Sequence, residues 1–445
     1  MAGFTEAEAK ALLQKALAYS KADACEVNLD GSTRGNVRYA RNAVSTAGVT
    51  DDLSMVVQSS FGQRQGTVTL NEFDDASIER AVRRSEELAR LAPEDPEFQP
   101  PLGPQRYSAV PHAFVERTAA YTPAERAAQA KASIEPAKRG QCTAAGFLED
   151  GAAWSAMANS AGLFAYHRST GGEYTVTVRT DDGTGSGYAS QTFNDVAELD
   201  AGKVSGLAQA KALASREAKA IEPGKYTVIM EPLATVDLLS FMFFNMDARN
   251  ADEGRSFLTR KGGGTRVGEK LFDGRVQIWS DPTHPVIPSA PWSGDGRAQQ
   301  RVDWVKDGTV QQLFYSRFWA RKQGKDAVPP PTNLLMAGGS GTVDDLVRDT
   351  KRGILVTRTW YIRMVDPQTV LLTGLTRDGT FFVEDGRVKH AVKNLRFNES
   401  PVIMLNNIDA LGAPVRVGGG EGGPVSLIPP MRVRDFTFTS LSDAV

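Results

Sequence analysis

The chain predicts an α+β protein in two unlike parts: a mixed helix and antiparallel-sheet region over 1–221, then a β-rich, barrel-like domain over 222–445 with one buried helix. Three observations carry this prediction. The first part reads helix, strands, helix, and then repeats that order. Prolines at 93, 96, 100, 101, 104 and 111 interrupt it once, which forbids regular structure and marks a surface connection over about 93–111. From Gly224 onward, helical periodicity is confined to one stretch, and the remainder alternates as strands with Gly and Pro between them.

Taken in order, Thr5 and Glu8 form a capping-box pattern, and Leu12, Leu13, Ala16 and Leu17 give the helix behind it one apolar face, ending near Tyr19. Strand-like pieces follow at 24–30, 36–40, 54–58 and 66–70, separated by Gly, Asn and Asp. Asp74 or Asp75 caps a second helix whose core stripe is Ile78, Ala81, Val82, Leu88 and Leu91. After the prolines, a helix over 123–137 leads into hairpins with Asp-Gly and Gly-Gly turns, and the Ala-rich stretch 195–220 predicts another helix.

Composition bounds the function. The 445 residues suffice for two or three domains, and 41% hydrophobic with 23% charged residues is ordinary for a globular protein. A formal charge of −2 argues against a large nucleic-acid or anionic-membrane footprint. Cys25 and Cys142 are the only cysteines, too few for a disulfide framework. The N-terminus has no basic region followed by an apolar run, and no stretch approaches the roughly 18 apolar residues of a membrane span, so a cytoplasmic protein is expected.

The organising stretch is 224–257, GKYTVIMEPLATVDLLSFMFFNMDARNADEGRSF. Residues 225–231 read as a buried strand that Pro232 ends. Leu233, Val236, Leu239, Met242, Phe243 and Met246 then recur at spacings of three and four, with Leu238, Phe241 and Phe244 widening the stripe, so this helix is mostly buried. The stretch, together with EGRSFLTRKGGGTRVGEKL, PTNLLMAGG, LLTGLTRDGTFFVEDGRVKHAVKNLRF and LIPPMRVRDFTFTS, resembles the TldD/PmbA (TldD/TldE) metallopeptidase-like family. In the catalytic TldD branch the resemblance implies HExxxH after a pair of leucines, and a cysteine in a glycine-rich stretch near the C-terminus. Here Ser240, Phe241 and Asn245 stand at the histidine and glutamate positions, and Gly418 at or near the cysteine.

A zinc hydrolase needs about three nitrogen, sulfur or carboxylate ligands and a nearby general base. Hydroxyl, phenyl, amide and glycine supply neither, so the resemblance places the chain nearer the zinc-free TldE/PmbA branch, with no cofactor of its own and zinc expected only in a TldD-like partner. Phe241 and Phe244 are expected to fill the space that a metal and its water would need.

Other constellations are weaker. His112, His167, His284 and His390 each stand alone, with no i, i+3 or i, i+4 pairing. Neither Ser240 nor Ser256 sits in a GxSxG elbow. The loops KGGGTRVG and VGGGEGG match neither a Walker loop nor a dinucleotide fingerprint; two readings stand, a close backbone approach by an extended peptide or a surface loop. The residues singled out for peptide binding or an interface are Gly262, Gly263, Gly264, Asp295, Trp319 and Trp360. Asp295 also reads as part of a hairpin turn, and aromatics interleaved with arginine around Trp319 and Trp360 suit a barrel wall as well as an interface.

The resemblance implies a non-catalytic subunit of a peptidase assembly that processes small peptides or degrades unfolded ones, partnered by a TldD-like metallopeptidase. Main-chain pairing in a groove would make such recognition tolerant of sequence. The alternative is a stand-alone homodimeric scaffold that holds a peptide or ligand without cleaving it. Neither nucleic acid nor membrane is expected as a partner.

Overall fold

The computed structural model describes residues 3–419 and 423–442. Helix α1 (Glu6–Tyr19) starts as expected, with Thr5 and Glu8 exchanging the two bonds of a capping box. Strands β1 (Ala24–Ala40), β2 (Ala43–Phe61) and β3 (Arg64–Leu70) follow, and α2 (Asp75–Leu91) is capped by Asp74. The proline-rich passage carries no helix or strand before residue 111. After one turn, α3 (Glu116–Ala119), the order recurs as α4 (Pro123–Arg139), β4 (Cys142–Asn159), β5 (Phe164–Thr180), β6 (Ser186–Phe193) and α5 (Ala201–Ala214).

Two corrections concern the strands. The pieces at 24–30 and 36–40 are one strand of 17 residues. Gly31 and Gly35 read as breaks, but they are places where large side chains cross the sheet. A Cβ at Gly31 would stand 2.6 Å from the Trp154 ring, and one at Gly35 2.0 Å from the Arg126 guanidinium. The first half of β2 was not anticipated at all, because residues 43–52 are exposed on both faces and so lack alternation.

These strands form one antiparallel sheet in the order β3-β2-β1-β4-β5-β6, with β1 and β4 joining the two repeats at its centre. Odd-numbered residues of β1 enter two helix-covered cores. Cys25, Val27 and Leu29 pack with Leu13, Met55 and Ile78, whereas Val37 and Tyr39 pack with Ile134, Tyr174 and Ala208. By strand alternation Glu26, Asn28, Asp30, Ser32 and Arg34 lie on the opposite, polar face.

The second part opens with β7 (Gly224–Met230), α6 (Pro232–Phe244) and α7 (Ala248–Asp252). Next come β8 (Ile278–Ser280), β9 (Val302–Lys306), β10 (Thr309–Val310), α8 (Arg317–Gln323), β11 (Leu334–Met336) and α9 (Val343–Arg348). Strands β12 (Arg352–Val356), β13 (Thr359–Asp366), β14 (Leu371–Thr376), β15 (Thr380–Glu384), β16 (Arg387–Ala391) and β17 (Leu395–Glu399) then run to α10 (Pro401–Asn406). The chain ends on β18 (Ile408–Leu411), β19 (Val415–Val417), β20 (Ser426–Ile428) and β21 (Met431–Leu441). Helices α8 and α10, with 7 and 6 residues, lie in segments that read as strand or mixed, being too short for a helical period to register.

Two sheets result, one ordered β10-β9-β8-β11-β20-β19 and one of nine strands in which β7 lies between β21 and β12. Of the three sheets of the molecule, one curls into a half-barrel without closing. With α6 they enclose the largest core, built on Val228, Met230, Leu239, Met242, Trp304 and Phe397.

Candidate functional site

Helix α6 leaves the central strand β7 through Glu231 and Pro232, and Pro at the first helical position suits a start where an N–H has no partner. The buried Lys211 of α5 donates to Glu231 Oε2 at 2.7 Å, tying the head of α6 to the first part of the chain. Leu238, Leu239, Met242 and Phe243 enter the core, where Phe243 meets Trp304 edge-on at 5.3 Å.

The hexad 240–245 therefore divides by position. Ser240 is buried, Phe241 half-buried, and Phe244 turned outward at 63% exposure. Asn245 caps the helix, its amide donating to Phe241 O at 2.8 Å. The expectation that Phe244 fills the metal's space is thus corrected. Gly423 lies beside Ser240: a methyl on it would stand 3.0 Å from Ser240 Oγ, at a residue with φ +119°. Among the described residues that hydroxyl has no hydrogen-bond partner, a condition shared only by Asn194 Oδ1 among buried side-chain atoms.

This donor set does not fit zinc. One enclosed hydroxyl, a phenyl ring and a helix-capping amide cannot replace three ligands and an open position. No three His, Cys, Asp or Glu converge elsewhere among the described residues. Gly418 stands apart from Ser240's neighbour Gly423; a methyl there would meet Thr192 Cγ2 at 3.0 Å and Glu173 Oε1 at 3.5 Å. Sequence reasoning passed over Asp237, which is 2% exposed and one turn before Ser240 on the same helical face. An acid inside an apolar stripe was the available signal.

The other singled-out residues lie in separate places. Gly262, Gly263 and Gly264 form an exposed loop tip at φ +96°, +111° and +80°, closed by the bridge between Thr259 and Thr265, with open space beside each. Asp295 lies at the seam between the two parts, in a cleft of about 380 Å³ also lined by Glu26, Gln58, Glu97 and Arg317. Burial raises the Asp295 carboxyl, but Ser293 at 2.6 Å and the Arg297 guanidinium at 2.8 Å outweigh it and hold the group below its usual range. Across the cleft, burial pushes Glu26 up. Trp319 is 4% exposed with its N–H on Asp252 at 2.7 Å, so it belongs to the core.

Trp360 belongs to a clasp across the same seam. Arg358 stacks on Trp360 at 4.5 Å and on Tyr188 of β6 at 3.9 Å, and it pairs with Asp378 at 3.0 Å. Ser186 donates to the same carboxylate at 2.6 Å. The histidines do not converge: His167 meets Trp292 edge-on, His390 stacks on Phe382, and His284 Nδ1 accepts from the Val286 N–H. Burial lowers the imidazoles of His167 and His284. No helix among the described residues is long and apolar enough to cross a membrane.

With this geometry in place, three domain matches account for most of the chain. The PmbA/TldA metallopeptidase domain 1 matches residues 25–89, the central domain 115–219, and the C-terminal domain 223–440. The chain belongs to the PmbA/TldD metallopeptidase-like family. The fold of the PmbA/TldD chain is similar to that of TldE from Thermococcus kodakarensis, with TM-score 0.86 and 15% identity over 97% of this chain and 99% of that one. It is also similar to a Thermotoga maritima protein described as a candidate modulator of a DNA gyrase, with TM-score 0.85 and 17% identity over 97% and 100%. A curated metalloprotease of Methanothermobacter thermautotrophicus is 24% identical over 259 residues, and the chain spans about half of that relative's length.

Proposed function

We propose that this chain is a non-catalytic, TldE/PmbA-like subunit of a TldD/TldE-type metallopeptidase assembly, acting on small or unfolded peptides while a TldD-like partner holds the zinc. The observation that carries the reading is the hexad on α6, where Ser240, Phe241 and Asn245 occupy the family's ligand positions and Gly423 lies beside Ser240. The chain's own contribution is then to admit and hold peptide. The cleft at the seam, with Glu26 and Gln58 on one side and Asp295 and Arg317 on the other, offers side chains for that task.

The test is cleavage of an unfolded substrate by the purified chain alone and mixed with a TldD-like partner, each with and without a zinc chelator. Chelator-sensitive cleavage only in the mixture is expected; cleavage by the chain alone overturns the reading. Installing the ligand types by Ser240→His, Phe241→Glu and Asn245→His is expected to yield no zinc-dependent activity in the isolated chain, because residue 240 is buried, residue 245 is the C-cap of α6, and the family's third ligand is still missing.

A further inference from the structure

The cleft of about 380 Å³ at the seam holds polar groups that the fold leaves unused. Three carboxylates line it, and two are already paired: Glu97 with Arg249 at 2.9 Å and Asp295 with Arg297 at 2.8 Å. Glu26 has no ion-pair partner among the described residues, and the one hydrogen bond to its carboxylate there comes from Asn28 Nδ2 at 3.3 Å. Burial opposes its charge, and the Arg317 guanidinium acts on it only from the other wall, where it donates to Pro100 O.

Ser60 is a second such group. It is 4% exposed and lines the cleft, and its hydroxyl makes no hydrogen bond among the described residues. Strand alternation explains its direction: Ser59 turns into the core to bond Ser85 at 2.7 Å, so Ser60 faces the opposite side together with Gln58. In the β1–β2 ladder Gln58 is directly opposite Glu26 and Ser60 is opposite Ala24, which makes Glu26 and Ser60 diagonal neighbours roughly 7–8 Å apart. The Gln58 amide donates to Thr67 Oγ1 at 3.5 Å, leaving its oxygen as a third open acceptor.

A carboxylate, a hydroxyl and an amide oxygen on one face are three acceptors, and a primary ammonium brings three N–H donors with one positive charge. We infer that the cleft binds the primary ammonium group of a peptide, held by Glu26, Ser60 and Gln58. Other ligands match this set less well. A divalent metal ion needs more than one free carboxylate and would meet the Arg317 charge across the cleft. A guanidinium asks for both carboxylate oxygens, one of which is on Asn28, and a carboxylate end would face Glu26 at like charge. Such recognition rests on the peptide-holding role proposed above for this cleft and adds the group that is recognised. The amino end of a peptide and a lysine side chain both supply that group.

The test is calorimetric titration of the full chain with three probes: pentaalanine with a free amino end, N-acetyl-pentaalanine, and the N-acetyl peptide with lysine in its central place. At least one amine-bearing probe is expected to bind about tenfold tighter than N-acetyl-pentaalanine, and the one that does so identifies the source of the ammonium. Glu26→Gln is expected to bring that probe down to the level of N-acetyl-pentaalanine, whose own binding stays unchanged, and Ser60→Ala to weaken it by about fivefold. Equal binding of all three probes, or a preference that survives Glu26→Gln, overturns the ammonium site while leaving the cleft as a holder of peptide backbone. Absence of binding by every probe overturns both, and chelator-sensitive cleavage in the mixture with a TldD-like partner then still decides the subunit reading by itself.

Discussion

The two repeats of the first sheet share an order of elements and differ in how their interiors are held. Under α1 and α2 the core is mainly apolar, with Leu13, Val27, Leu29, Met55 and Ile78 fully buried and a single hydroxyl pair, Ser59 and Ser85 at 2.7 Å, between sheet and helix. Under α4 and α5 a polar chain runs through the core: Tyr39 bonds Ser133 at 2.8 Å and Tyr174 at 2.6 Å, and Tyr174 bonds Ser205 at 2.7 Å. Beside it Arg126 grips Asp150 through two bonds of 2.6 and 2.7 Å, both residues being nearly inaccessible. The difference teaches that one topology accepts either interior, but the polar one dictates its neighbours. Gly35 lies under the Arg126 guanidinium, and Gly146 under the Tyr39 hydroxyl, where a Cβ would stand 2.3 Å away.

The strongest way to break the comparison is Asp150→Ala, which strands the Arg126 cation in the interior. A loss of about 3–5 kcal/mol is expected in urea unfolding. Replacing both partners, Arg126→Met with Asp150→Leu, is expected to recover most of that loss, because no charge is then left unpaired. A double variant as unstable as the single one would mean that the ion pair itself, rather than its completeness, holds the second repeat.

In the apolar repeat, Leu13→Ala is expected to cost about 2–5 kcal/mol through lost contact and a cavity, with no rescue from a partner substitution. Tyr174→Phe in the polar repeat removes one of the two inner hydroxyls of the chain and is expected to cost about 1 kcal/mol, measured in the same denaturation series. A much larger loss would show that the hydroxyl chain acts as a unit.

The smallest effect concerns the hairpin turns. Between β5 and β6, the Thr180 hydroxyl, then the Thr184 backbone and hydroxyl, hold Asp182 down to about 2. A folded value below the unfolded one of 3.8 means that its contribution is present above pH 3.8 and fades as pH falls towards about 2. Asp182→Asn is therefore expected to be slightly less stable than the parent at pH 7 and indistinguishable from it near pH 2. The β2–β3 turn uses Gly62 at φ +56° with the Asp23 carboxylate on its N–H. No shift at Asp182 across that range would remove the contrast between the turns.

Legibility in the sequence followed burial. Helices with a clear apolar stripe and a side-chain cap were readable, as at Thr5 and Asp74, and so was the strand and helix at 224–244. What failed did so where neighbours far along the chain decide the outcome. Gly31 and Gly35 look like turn residues until Trp154 and Arg126 are placed over them, and residues 43–52 have no buried face to impose a pattern. At the candidate site the residue types were legible, since Ser240, Phe241 and Asn245 are poor ligands in any fold. Their surroundings were not: Phe244 follows the helical stripe yet faces outward, and Gly423 rather than Gly418 meets Ser240, because loop register depends on tertiary packing.

The ladder between β1 and β4 has a consequence for how the chain is made. It joins residues such as Glu26 and Asn159, so on the ribosome the first repeat emerges complete through Leu91 while one side of β1 still has no strand beside it. At ~5–20 residues per second, β4 follows several seconds later. During that interval two flanks of a nascent sheet are open at once, and the long proline-rich passage is the stretch being synthesised. Concentration of nascent chains, rather than the stability of the finished fold, then sets how often β1 finds a stranger before it finds β4.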